Sequence, residues 1–264
     1  MISAIKTAIK FFNEQGIHSL NNIPPLRALI KNQKSSKNIF FFTMDDVWEK
    51  TNLSDLKRLA SILDKHRVKG TFFVTPYYNN IELSEKKAEQ IRKMLEGHEF
   101  AQHGLCHTKE DMSLNAKELR SGKNFLEKRL KTKIYGYRAP KFLRNRYLLN
   151  ELASLGFLYN SDQFLLRPYP FVKDKITVIP CHDKCDPFAL NWNEKATLSL
   201  VKSKIKYSVK SGKPYVFLMH AYDINQNNLN ILDKILKEAK RNGLKVDMSL
   251  ADFAKFFIKS KGER

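Results

Sequence analysis

Cysteine is nearly absent from this chain: three in 264 residues, an odd count and too few for the paired framework that staples small secreted domains. A disulfide scaffold is therefore excluded, and a reducing compartment is expected. Cys181 and Cys185 form a lone C-x3-C that lacks the second ligand pair of a structural zinc site. Acidic residues are also in deficit, 27 against 47 lysines and arginines, for a formal charge of +20. A field of that sign draws anionic partners without choosing among them. The basic residues are scattered along candidate helices, as in Lys57-Arg58, Lys86-Lys87 and Lys128-Arg129. With no basic–aromatic stacking motif and no zinc-finger spacing, specific nucleic-acid recognition is not expected. Long apolar runs are missing too: none approaches the roughly 20 residues that cross a bilayer. Met1 to Lys10 break their apolar positions with lysines, so a cytoplasmic protein is expected, with contact at the inner membrane face as a peripheral option.

What is present suits one globular domain. Hydrophobic residues make up 42% of the chain and aromatics 11%, enough for a substantial core. Short β-branched or aromatic runs alternate with segments of helical period. Strands are expected at Ile39 to Thr43, Thr71 to Thr75, Glu99 to Gln102, Ile134 to Tyr137, Phe157 to Asn160, Ile176 to Ile179, Tyr215 to Met219 and Leu244 to Val246. Leu56, Leu59, Ala60 and Leu63 make a helical stripe, Ser84 caps a second helix, and Asn115 with Glu118 forms a capping box for a third. Further helices are expected near Arg144 to Leu155, Glu194 to Ser211, Leu229 to Asn242 and Leu250 to Lys259. Gly70, Gly97, Gly156 and Gly243 each follow a helical stretch, where a left-handed C-cap is commonly needed. The fold class is α/β: strand and helix alternating about seven or eight times point to a (β/α) barrel or an open parallel sheet. Residues 1–35 read as a helical lead-in and 36–264 as the barrel domain.

The polar candidates fall at the carboxyl ends of these strands, where barrels gather reactive groups. They are Asp45 and Asp46, His103 and His107, Arg138, Asp162 and His220. Two imidazoles and a carboxylate are a usual catalytic three-ligand set for a divalent ion, with a second carboxylate left to take a proton. Taken singly, each has a plainer role: Asp45-Asp46 as a helix cap, an isolated H-x3-H as coincidence, Arg138 as an ion-pair partner, Asp162 as a turn residue. His18, His66, His98 and His182 are read as structural, His98 as a strand residue beside the site.

Five ordered pieces resemble the polysaccharide deacetylase family, the NodB-homology or carbohydrate esterase family 4 group. They are Thr43-Met44-Asp45-Asp46, His103-Gly104-Leu105-Cys106-His107, Arg138-Ala139-Pro140, Asp162, and Leu218-Met219-His220. The resemblance implies a NodB-like fold, a distorted (β/α) barrel of seven or eight mostly parallel strands, and metal-dependent removal of an N-acetyl group from an amino sugar in polysaccharide, nucleotide-linked or lipid-linked form. It assigns Asp46, His103 and His107 to the metal, zinc first, with cobalt, nickel or manganese as alternatives. Asp45 becomes the proton acceptor, His220 the proton donor, Arg138 the partner of Asp45, and Asp162 the partner of His220. Leu218 and Pro140 are assigned to substrate contact. The implied partner is an N-acylated sugar, with an anionic carrier compatible with the basic charge. Removal of formyl or another acyl group, and an inactive carbohydrate-binding relative, are the alternatives. Met44 stands where the family usually has phenylalanine, Gly104 where it prefers serine or threonine, and Lys141-Phe142 where a glycine usually follows. The branch is divergent.

Overall fold

The computed structural model describes residues 38–143, 145, 147–162, 170–173, 175–181, 187–188 and 193–262. The lead-in read at residues 1–35, together with His18, His182 and Cys185, lies outside the described residues. In chain order the elements are β1 (Phe40–Val47), α1 (Leu53–His66), β2 (Thr71–Val74), β3 (Tyr77–Tyr78), β4 (Ile81–Glu82), α2 (Glu85–Met94), β5 (Glu99–His103), α3 (Ala116–Leu130), β6 (Gly136–Arg138), α4 (Leu148–Ser154), β7 (Tyr159–Asn160), β8 (Phe171–Lys173), β9 (Ile176–Val178), α5 (Glu194–Ser211), β10 (Tyr215–His220), α6 (Gln226–Arg241) and α7 (Leu250–Gly262).

Strand β1 is buried on both faces, which is why it reads as an unbroken aromatic run. Phe40, Phe42 and Met44 join the cluster shared with α1, α2, α3 and α6, whereas Phe41 joins a second cluster with Phe73, Val216 and Leu218. The two clusters are the two faces of one sheet. Its order is β10-β1-β2-β5-β6-β7-β9-β8, with every neighbouring pair parallel except β8 with β9. The sheet curls into an open, half-barrel form of the expected (β/α) barrel. Its inner face is covered by α7, whose Leu250, Phe253 and Phe257 belong to the inner cluster.

The amino end of the barrel is closed by hydrogen bonds. Thr71 Oγ1 accepts the N–H of Leu250 at 3.1 Å, and the buried Glu99 carboxylate accepts from Ala251 N–H at 2.9 Å and Tyr159 O–H at 2.8 Å. Burial pushes the Glu99 carboxyl up from its ordinary range. Ser84 and the Asn115–Glu118 capping box start α2 and α3 as expected.

Some expectations change. Gly97, Gly156 and Gly243 take positive φ, but Gly70 does not: Arg67 makes the left-handed turn after α1 instead. Gly70 sits against the Phe42 and Phe72 rings, each 3.1 Å from where a Cβ would lie. Leu244 to Val246 do not form a strand; they meet the sheet through the single bridge of Ile39 with Lys245. His98 precedes β5 at the end away from the site, where its Nδ1 accepts Gly70 N–H at 3.0 Å. It is therefore not a strand residue beside the site.

Candidate metal centre

Successive residues of a regular strand point to opposite faces, so Asp45 and Asp46 would ordinarily diverge. They do not, because the β1–β2 register shifts between Met44 and Val47 and Asp46 turns to φ 59. Such a bulge re-aims a side chain. Asp45 Oδ2 and Asp46 Oδ1 then lie 4.0 and 3.4 Å from the same atom, His103 Nε2. His107 Nε2 is 2.9 Å from Asp46 Oδ1. The three prospective donor atoms of Asp46, His103 and His107 all lie within 4.8 Å of one another.

The surroundings orient these donors. His103 ends β5 opposite Arg138 of β6, and its Nδ1 is 3.0 Å from the Arg138 carbonyl oxygen. Donation of that N–H to the carbonyl would leave Nε2 as the atom available to an ion, the usual arrangement of a ligating imidazole. His107 stacks on Tyr78 with ring centroids 4.5 Å apart, and Tyr78 in turn packs at a tilt against Trp48 at 4.4 Å.

Arg138 is wholly buried. Its Nη1 donates to Asp45 Oδ1 at 2.6 Å and Thr43 Oγ1 at 3.0 Å, while Nε and Nη2 donate to the carbonyl and hydroxyl of Ser161 at 3.0 and 2.9 Å. The guanidinium lies 4.1 Å over the Phe73 ring. Desolvation works against its charge, but Asp45 outweighs it and holds the guanidinium protonated. Asp46 shows the same contest. Burial disfavours its charge, and the two imidazoles prevail, keeping its carboxyl well below the usual range. For His103 burial favours the neutral ring, and the carboxylates of Asp45 and Asp46 prevail to raise its pKa.

These residues fit a divalent cation. Asp46 Oδ1 is buried without an aligned hydrogen bond, despite two imidazole nitrogens nearby. Three donor atoms within 4.8 Å of one another, two nitrogens and one oxygen, suit zinc and the neighbouring divalent transition ions.

The remaining candidates are placed as follows. His220 ends β10 and is the register partner of Asp45. Its ring stacks on Tyr222 at 4.9 Å, and its Nδ1 is 3.8 Å from Asp223 Oδ2. Asp162, buried after β7, accepts Asn160 Nδ2–H at 2.8 Å. Leu218 is fully buried in the inner cluster, and Pro140 is buried against the loop at Gly104. Sequence reasoning missed Ser161, Tyr78, Asp111 and Asp223. Asp223, three residues past His220, was the one with a readable spacing.

A family profile for polysaccharide deacetylase matches residues 32–159. The fold is shared with a protein described as a polysaccharide deacetylase from Mycobacterium smegmatis, at 19% identity and TM-score 0.68 over 87% of this chain and 93% of that one. It is also shared with the chitin deacetylase of the fungal pathogen Colletotrichum lindemuthianum, at 19% identity and TM-score 0.56 over 79% and 84%. BA3943 of Bacillus anthracis, a family 4 pseudoenzyme, aligns at 18% identity and TM-score 0.57 over 83% and 66%. No curated protein matches the chain by sequence. The chain thus shares the polysaccharide deacetylase fold, and its residues 32–159 match that family's sequence model.

Proposed function

We propose that this protein is a divalent-metal-dependent hydrolase that removes the N-acetyl group of an amino sugar. The supporting observation is the pairing of a three-donor set, Asp46, His103 and His107, with a neighbouring carboxylate, Asp45, whose Oδ1 is tied to Arg138 at 2.6 Å. Zinc, or cobalt, nickel or manganese in its place, supplies the Lewis acidity that acidifies water and polarises an amide carbonyl. The protein residues do the rest. Arg138 fixes the orientation of Asp45 through Oδ1, leaving Oδ2 to accept the proton of the attacking water. An amide nitrogen is a poor leaving group, so a second residue must protonate it as the tetrahedral intermediate collapses. His220, across the β1–β10 pair from Asp45, takes that role. Asp162 and Asp223 are the carboxylates proposed to keep its imidazole charged. Leu218 and Pro140 are proposed as apolar walls near the acyl group.

The deciding experiment couples metal analysis of the purified protein to acetate release from free, nucleotide-linked, lipid-linked and polymeric N-acetylated sugars. Bound metal with acetate release is the expected result. Bound metal with formate or a longer acid released instead would shift the assignment to another amide hydrolase. Metal-free, inactive protein that still binds sugar would place it with inactive relatives such as the B. anthracis pseudoenzyme. The net charge of +20 favours a substrate on an anionic carrier, which also suits the proposed cytoplasmic setting beside the inner membrane face. In that case kcat/KM falls steeply with salt, whereas a neutral sugar polymer shows little dependence.

A further inference from the structure

The loop between the two histidines departs from the family pattern at Gly104, and its neighbours show what fills the missing side chain's place. Gly104 sits at φ +62, and a Cβ there would lie 2.0 Å from Asp111 Oδ2 and 2.6 Å from Pro140 Cγ. A serine or threonine is therefore shut out by the backbone conformation, by a carboxylate and by a proline ring. Asp111 belongs to the 3-10 turn Lys109–Ser113 and is 6% exposed. Its Oδ2 accepts the N–H groups of Leu105 at 2.9 Å and His107 at 3.0 Å, and its Oδ1 accepts that of Cys106 at 3.1 Å. Three consecutive amides thus converge on one carboxylate. The last of them belongs to His107, a non-glycine residue at φ 59, a left-handed conformation that needs its surroundings to hold it.

We propose that Asp111 is the positioning residue of the metal loop, presenting His107 to the ion in place of the hydroxyl this chain lacks. The proposal rests on the reading of Asp46, His103 and His107 as metal ligands. Its chemistry is specific to a carboxylate. All three contacts are N–H donors, so an asparagine of equal volume must turn its NH2 group against at least one of them.

The test is Zn2+ affinity, by competition with a chromophoric chelator, and the visible absorption of the Co2+ form. Both are measured on wild type, Asp111→Ala, Asp111→Asn and the exposed neighbour Glu110→Ala. Both Asp111 variants are expected to bind Zn2+ about 10- to 100-fold more weakly, the usual effect of losing an outer-shell partner. The Co2+ spectrum changes with them, a response that general destabilisation would not produce, and Glu110→Ala behaves as wild type. If Asp111→Ala does not fold, the isosteric Asp111→Asn carries the test. Wild-type affinity and spectrum in a folded Asp111 variant would overturn the positioning role alone. Wild-type protein that takes up neither ion would overturn the metal reading, and this role with it.

Discussion

Arg138 and Asp45 form an ion pair with almost no access to water, their side chains 0% and 4% exposed. Breaking such a pair from one side leaves an uncompensated buried charge, at a cost of about 3–5 kcal/mol. Arg138→Met should therefore lower the melting temperature sharply, and a thermal scan showing no change would remove the structural part of its role. His220 is half-buried and lies outside the donor triad. His220→Ala should leave metal content intact while kcat drops by roughly 10²- to 10⁴-fold, the range for a general acid–base group. Wild-type turnover would withdraw the proton-donor assignment. At this scale the residues with side-chain chemistry were legible because they stand at strand ends. Asp111 was not, because its importance lies in three backbone amides that sequence does not display. Nor does spacing reveal that two adjacent aspartates can share a face; that needs the bulge at Asp46.

Helices α1 and α6 are fastened by Asp233, whose carboxylate is 2.7 Å from Lys65 Nζ, 2.8 Å from His66 Nε2 and 2.7 Å from Lys237 Nζ. Desolvation opposes its charge, yet these three partners prevail and hold its pKa well below the ordinary 3.8. A carboxylate depressed in the folded state contributes stability above its unfolded pKa and loses it as pH falls toward the folded one. Asp233→Asn should accordingly lower the melting temperature at pH 7, with the deficit shrinking below about pH 4. A deficit that stays constant down to pH 2 would show that the ion cluster is not its source. Elements of this kind were readable where the signal is local, as in the Ser84 cap and the Leu56–Leu63 stripe. The hairpin Tyr77–Glu82 escaped because its strands are two residues each, turned by Asn79 and Asn80 at φ 50 and 61. β8 escaped because three residues with one antiparallel neighbour carry too little pattern to register.

Across the whole molecule, the proposed ion would join β1 to β5 and the loop after it, tying together parts of the sheet that lie on either side of β2. An ion that binds only the folded state stabilises it by mass action, about 2.7 kcal/mol at a free concentration one hundred times its Kd. Zn2+ should therefore raise the melting temperature by several degrees and EDTA should reverse the rise; a melting curve indifferent to both would count against the site. The alternation of short apolar runs with helical periods determined an α/β chain with parallel strands, since periodicity and capping depend only on near neighbours. The family motifs likewise stand in the chain for inspection. Tertiary structure alone decided that the barrel stays open and that α7 lines its inner face. It also decided that Asp45 and His220 are register partners across β1 and β10, and that the loop at Gly104 is held by Asp111. Those outcomes depend on register between strands remote in sequence and on the close approach of buried atoms, neither of which a local pattern encodes.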